Sequence, residues 1–290
     1  MLEINIITDK NMSRVLSFEP NKIPTKIKYT TGHFVYYGIS VFIDRCFDLD
    51  QEEIIDQVHS KIKLAWIHDP RAISDLQNQR LNNLEKKHIS KFDYIMTYDE
   101  KLLDTYPEKC IFTPDNGIWV SDDEIKIHDK TKLISMIYSF KNWTEGHILR
   151  HQVADMNIEN LDLYGDGSVN PIKFKEEGLK DYQYSITIEN SRAKYYYTEK
   201  LLDCFATGTV PIYWGCKNIG NYFDEKGILQ FEKLEDLAGI FETISEPNNY
   251  EIMMPFIKEN FNRCQKYKRY EDFIADNIYS KILNEKNIIE

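Results

Sequence analysis

Tyr184–Trp214 reads YSITIENSRAKYYYTEKLLDCFATGTVPIYW, and the order of its parts decides the fold. Ser185–Ile188 is a short β-prone run that ends in the polar groups of Glu189, Asn190 and Ser191. Thr198 is suited to cap a helix whose first turn holds Glu199 and Lys200. Leu201, Leu202 and Phe205 give that helix an apolar face, and Gly208 ends it. Thr209–Trp214 is the next strand. Strand, polar loop, helix and strand in that order build a parallel α/β sheet, whose ligands bind beyond the carboxyl ends of the strands. The free N–H groups and dipole of a helix N-terminus favour an anion. A lysine there is electrostatically misplaced unless an anion lies near it. Lys200 is therefore the first candidate for holding phosphate, the bland alternative being an exposed lysine at a helix start.

The same alternation continues outward on both sides. Residues 2–8 alternate as a strand, and Phe34–Phe47, FVYYGISVFIDRCF, suits a buried strand or two. Ile62–Ile67 is a strand that runs into His68, Asp69, Pro70 and Arg71. Ser74–Lys87 reads as a helix, and Tyr94–Tyr98 as a strand followed by a short helix from Asp99. Cys110–Val120 carries turn chemistry at Pro114 and Asn116-Gly117. Ser121–Thr131, SDDEIKIHDKT, is charged and without periodicity, which marks it as an interdomain linker. The expected domains are thus residues 1–125 and 126–290, with the terminal helix free to cross back. In the second, Lys132–Tyr138 is a strand, Glu145–Met156 a helix, and Leu161–Tyr164 a strand ending in Gly165-Asp166-Gly167. Leu229–Phe231, Leu234–Ile244 and Ile252–Leu283 read as strand, helix and largely helix. Ser139–Lys141, Gly165–Gly167 and Glu189–Asn190 then fall around one crevice.

Composition bounds the function. A chain of 290 residues is long enough for two ordinary domains. The net charge of −11 argues against a dedicated nucleic-acid binder. The five cysteines, Cys46, Cys110, Cys204, Cys216 and Cys264, are widely spaced without a C-x-x-C, so neither a zinc site nor a disulfide framework is expected. The Tyr164–Gly167 run, YGDG, holds a single carboxylate and is not a D-x-D metal motif, so no metal is expected. There is no run of 18 apolar residues and no leader pattern at the start, so no membrane span is expected. The expected location is cytoplasmic, with peripheral attachment to a membrane as the variant of that reading.

Glu189-Asn190, Tyr196-Tyr197-Thr198-Glu199-Lys200, Gly208 and Pro211-Ile212-Tyr213-Trp214-Gly215 stand at the spacing of a known signature. The stretch resembles the family 10 glycosyltransferases, the α1,3/4-fucosyltransferases, with Tyr184 where that family has phenylalanine. The likeness is strong over residues 184–215, weaker over 132–223 and faint toward the N-terminus. It implies an α/β protein of GT-B type, with two Rossmann-like domains facing a central cleft and the nucleotide on the C-terminal one. It further implies inverting transfer of L-fucose from GDP-fucose to a hydroxyl of a glycan, free or lipid-linked as in lipopolysaccharide, with no cofactor.

The resemblance also assigns residues. Lys200 would neutralise the donor diphosphate, Glu199 would bind the ribose hydroxyls, and Asn190 and Tyr196 would supply neutral donors, Tyr195 and Tyr197 flanking the latter. Arg150 stands where the family carries a phosphate-binding arginine on the helix after the first strand of this domain, here preceded by Ser139 at the strand end. Glu189 is either part of the site or a structural acceptor for the loop. The family's general base is a glutamate at the end of an N-domain strand, and that place is taken by Asp69, one methylene shorter. Asp69 is therefore the expected base, with His68 or Arg71 tuning it or holding the acceptor and Asp115 as its substitute; the bland reading is a cap in an Asp-Pro turn. Two other readings stay open: the same fold with another GDP- or UDP-sugar, and a nucleotide-sugar-binding protein whose active site has decayed.

Overall fold

A computed structural model describes residues 1–7, 22–31, 37–48 and 52–283. The chain divides into two compact units, residues 1–115 with 269–290, and residues 116–268. The described part of the expected Phe34–Phe47 strand begins at Tyr37; residues 32–36 and the end of the 2–8 strand lie outside the described residues.

The first unit is a parallel sheet of β1 (Leu2–Ile7), β2 (Ile27–Thr31), β3 (Tyr37–Ile43), β4 (Ser60–Trp66), β5 (Tyr94–Thr97) and β6 (Cys110–Phe112), in the order β2-β1-β3-β4-β5-β6. Its apolar side chains divide between two faces, as parallel strands buried on both sides require. Helices α1 (Glu52–Gln57), α2 (Asp75–Asn83) and α3 (Glu100–Thr105) belong to this unit. Ser74 and Asp99 cap α2 and α3 by accepting the Gln77 and Leu102 N–H groups. Phe42, Ile55, Leu81 and Leu102 share one core. The chain returns at α8 (Tyr270–Ile278), which buries Ile274, Ala275 and Ile278 against the other face. Asp272 of α8 accepts the backbone N–H groups of Thr25 and Lys26, both at 2.7 Å.

The second unit is a parallel sheet of β7 (Lys132–Ile137), β8 (Leu161–Tyr164), β9 (Tyr182–Ile188), β10 (Val210–Trp214) and β11 (Leu229–Gln230), in the order β11-β10-β9-β7-β8. From β7 the chain passes through α4 (Glu145–Asp155) to β8 on one side, whereas β9 lies on β7's other side and leads through α5 (Glu199–Thr207) away from it. The direction of winding therefore reverses between β7 and β9, and the crevice at their carboxyl ends is the topological switch point. α6 (Asp236–Ser245) and α7 (Asn249–Cys264) complete the unit, and Leu149, Val153, Leu237, Ile244 and Met253 pack over Ile134, Ile186 and Ile212.

Local sequence logic holds well around α5. Thr198 caps it through the Lys200 N–H, and Gly208 closes it at φ 73°. β9 begins at Tyr182, three residues before the β-prone run read from the sequence. Ser121–Thr131 is not a free connector. It belongs to the second unit, where the Lys130 ammonium donates to the carbonyls of Lys180 and Thr207 and to Thr209 Oγ1 at 2.8–3.0 Å. Burial brings Lys130 down to about 7 despite the opposing pull of nearby acids. Charge in the sequence thus reported internal anchoring rather than solvent exposure.

Candidate functional site at the switch point of the second sheet

Glu189 leaves the end of β9 with no exposure to solvent. Its carboxylate accepts the Thr198 N–H at 2.9 Å and the Thr198 hydroxyl at 2.7 Å. These bonds clasp the strand end to the start of α5, so the structural role is the one seen for Glu189. Burial raises its pKa, against Lys200 and the Thr198 hydrogen bonds, which lower it.

Lys200 answers the electrostatic puzzle posed by its position. Its ammonium lies 3.0 Å from Glu199 Oε1, 3.0 Å from Thr198 Oγ1 and 3.6 Å from Glu189 Oε2. The anions that a lysine at a helix N-terminus requires are therefore supplied by the chain itself. Burial pulls Lys200 down, but the Glu199 and Glu189 charges outweigh it and hold its pKa above the ordinary value. Burial likewise pushes Glu199 up, and the charges of Lys200 and Lys175 more than reverse that, so Glu199 is held below the ordinary carboxylate value. The result is a buried, ionised Glu199–Lys200 pair with the lysine side chain 24% exposed.

Arg150 enters from α4. Its Nε and Nη2 donate to the Ile188 carbonyl at 3.0 and 2.6 Å, and Nη2 also reaches Asn190 Oδ1 at 2.9 Å. These bonds hold the last carbonyl of β9 and orient the Asn190 amide, leaving Nη1 unused among the described residues. α4 can approach this closely because residue 146 is glycine: a Cβ there would lie 1.7 Å from the Glu189 carbonyl oxygen. The Gly146 N–H donates to the Asn190 carbonyl at 3.1 Å. Tyr196 is buried. Tyr197 turns away into an aromatic cluster, its hydroxyl 2.8 Å from that of Tyr267, and Tyr195 adopts φ 65°. Ser139 is half-buried just beyond β7, at the same end of the sheet.

Three residues around this site were not singled out as site residues by sequence reasoning. Lys175, in a short turn before β9, depresses Glu199 electrostatically, and its ammonium lies 5.7 Å from the centre of the Trp119 ring. His147 occupies the first turn of α4. Asp203, on α5 one turn beyond Glu199, accepts the N–H groups of Trp119 and Val120 at 2.7 and 3.2 Å, while its Oδ2 has no partner among the described residues. The only sequence signal for Asp203 was a carboxylate on the apolar face of a helix, four residues from a site carboxylate.

Burial raises Asp203 to about 7, with Lys175 opposing, Glu199 reinforcing, and the two backbone N–H groups opposing. An unfolded aspartate titrates near 3.9. Between these values the folded chain keeps a proton that the unfolded chain has released. Stability from this group therefore falls as pH rises from about 4 to about 7, by roughly 4 kcal/mol in all. Asp203→Asn retains an oxygen for both N–H groups and removes the charge. It should be more stable than wild type at pH 8 and similar to it at pH 4, by urea denaturation. A variant with an unchanged pH slope would refute the assignment.

In the first unit, Asp69 is exposed just beyond β4, and its carbonyl accepts the Gln77 side-chain N–H at 3.0 Å. Its neighbour His68 stacks at 4.2 Å on Trp66 and lies 4.0 Å from Asp115. Burial lowers His68 to about 4, so at neutral pH the contact with Asp115 is not an ion pair. Asp115 thus faces a neutral imidazole. Arg71 grips Asp99 with two hydrogen bonds at 2.7 and 3.1 Å and Asn82 with a third at 3.2 Å. Its donors are committed to joining the turn after β4 to the start of α3, and no contact with Asp69 is among them.

Among the described residues, no group of three or more His, Cys, Asp or Glu side chains is placed to hold a metal ion, and no helix is long and apolar enough to cross a membrane. The five cysteines are free and buried, and burial pushes Cys204 and Cys216 up to about 12, which makes them poor nucleophiles.

Two parallel α/β units, the second with a lysine-bearing helix start at its switch point, define an α/β protein of the GT-B class. A crystal structure of an alpha1,3-fucosyltransferase with GDP superposes with a TM-score of 0.58 at 15% identity, covering 95% of this chain and 90% of that one. A structure of an alpha1,3-fucosyltransferase with GDP-fucose gives 0.55 at 15% identity, over 95% and 90%. Residues 127–253, somewhat less than half of the chain, match the family model described as Glycosyltransferase family 10 (fucosyltransferase) C-term. The Alpha-(1,3)-fucosyltransferase FucT of Helicobacter pylori is 33% identical over 85 residues, which is 28% of this chain and 17% of that protein.

Proposed function

We propose that this chain is an inverting glycosyltransferase that moves L-fucose from GDP-fucose to a hydroxyl of a glycan, with the donor held by the second unit and acceptor chemistry supplied by the first. The observation that carries this reading is the buried Glu199–Lys200 pair beside Arg150, at the switch point and at family spacing. Lys200 and the unused Nη1 of Arg150 would meet the diphosphate, Glu199 the ribose hydroxyls, and Asn190, Tyr196 and Ser139 neutral groups of the donor. The acceptor oxygen would attack the anomeric carbon from the side opposite the diphosphate. Asp69 would take the acceptor's proton as the carbon–oxygen bond to GDP breaks, and GDP would leave with its new charge met by the cations. Asp115 is the substitute base. The acceptor class is an oligosaccharide, free or lipid-linked.

A second reading keeps the fold and changes the donor to another GDP- or UDP-sugar; an aspartate where the family carries a glutamate favours it. A third, a decayed site, draws support from the self-sufficiency of the Lys200 ion pairs. The deciding experiment is thermal stabilisation by GDP, GDP-fucose, GDP-mannose, UDP and UDP-glucose. A ligand at a hundred times its Kd adds about 2.7 kcal/mol. Stabilisation by GDP and GDP-fucose is expected. A response to UDP compounds alone would replace the fucosyl donor, and no response to any would overturn the enzyme reading.

A further inference from the structure

His147 sits in the first turn of α4 beside the cations of the donor site. Its Nδ1 accepts the Thr144 N–H at 3.3 Å while its own backbone N–H donates to Thr144 Oγ1 at 3.2 Å. The reciprocal cap fixes the ring, and it fixes the tautomer. With Nδ1 used as an acceptor, the proton of the neutral imidazole lies on Nε2. Burial and then the charges of Arg150, Lys141, Lys200 and His151 lower the ring to about 4, so it is neutral at physiological pH.

The charges that lower this ring belong to Arg150 and His151 of its own helix, Lys141 of the loop after β7, and Lys200 of α5. All are cationic or become so on protonation. The residue is 3% exposed, with the Trp143 ring packed against it at 5.1 Å, and no described residue accepts a hydrogen bond from Nε2. Nε2 is not among the sealed polar atoms, so this N–H stays open to an incoming acceptor. A helix start, Arg150 one turn further along the same helix and an N–H with no acceptor among the described residues together suit an anionic oxygen.

We propose that the Nε2–H of His147 donates a hydrogen bond to an anionic diphosphate oxygen of the bound nucleotide-sugar, alongside Arg150 and Lys200. The inference rests on the donor-site reading given above. A neutral donor suits this place. It adds a directed hydrogen bond without adding a further cation to a site whose cations already repel one another. Because the cap holds the ring, the N–H is oriented before the nucleotide arrives.

Two variants separate this role from the capping role. In His147→Asn the side-chain oxygen can replace Nδ1 as the acceptor for Thr144, but nothing reaches the position of Nε2. In His147→Gln the amide nitrogen reaches that position, but the cap acceptor is lost. GDP affinity by titration calorimetry and thermal midpoint would be measured for both and for wild type. The expected result is that His147→Asn keeps the wild-type midpoint and loses about tenfold or more in GDP affinity, as for a hydrogen bond to a charged group. His147→Gln should have a lower midpoint and an affinity within about threefold of wild type. Wild-type affinity in His147→Asn, or affinities that simply follow the midpoints, would overturn the proposal. A folded wild type that binds no GDP would instead overturn the donor-site reading on which it rests.

Discussion

Lys200→Ala is expected to abolish stabilisation by GDP and to make the unliganded protein about 3–5 kcal/mol less stable. The two effects have one origin. Lys200 is the cation that two withdrawn carboxylates share, Glu199 at 3.0 Å and Glu189 at 3.6 Å. The Glu189 side chain is 0% exposed and that of Glu199 6%, so without the ammonium neither charge can be met by water. Lys175 acts on Glu199 only as a second, weaker influence. The loss of binding follows because a diphosphate entering this crevice would face two uncompensated carboxylates. A double variant, Lys200→Ala with Glu199→Gln, separates the effects. It should recover much of the stability, measured in guanidinium chloride, and none of the GDP affinity, measured by calorimetry. Wild-type GDP affinity in Lys200→Ala would remove this lysine from the site.

Asp69→Asn should lower turnover by about 10²–10⁴-fold, the range for losing a positioned general base, with the Kd for GDP unchanged. The substitution suits the test because Asp69 is exposed and its structural bond uses the backbone carbonyl, which accepts from Gln77. Asparagine preserves that bond and the shape of the turn before Pro70, so a fall in rate would report chemistry rather than folding. His68 enters the interpretation as a neutral ring, since burial holds it at about 4. It is therefore unable to relieve the loss by serving as a charged partner. If Asp69→Asn retains full activity, Asp69 is a turn residue, and Asp115→Asn becomes the variant expected to carry the loss. Full activity in both single variants and in their combination would discard the base assignment in this part of the first unit.

The region around α5 was legible in the sequence because its signals are local. A capping threonine, an amphipathic run and a closing glycine act within one or two turns, and the observed helix Glu199–Thr207 lies between Thr198 and Gly208 as read. β8 at Leu161–Tyr164 was legible in the same way. What was illegible is partnership across long separations. Arg150 bonds to a carbonyl 38 residues away, and Asp203 to N–H groups 83 and 84 residues away. Arg71 spends its fork on Asp99 rather than on Asp69. The charged stretch 121–131 looked like a linker because composition cannot show that Lys130 will find a set of carbonyls to bury itself among.

Local signals along the chain settle the class of both sheets, the existence and ends of the site helix, and the residue types gathered at its start. These follow from chain-local sterics, capping and apolar periodicity, which do not depend on what packs nearby. Only the tertiary structure decided that β7 lies between β8 and β9, so that α4 and α5 begin at the same switch point. That placement sets Lys200 against two internal carboxylates, turns Arg150 onto the last carbonyl of β9, and leaves the Nε2–H of His147 without an acceptor among the described residues. The physical reason is that a charged or polar side chain takes its meaning from the partner that desolvation forces upon it, and that partner is chosen by the packing of distant segments.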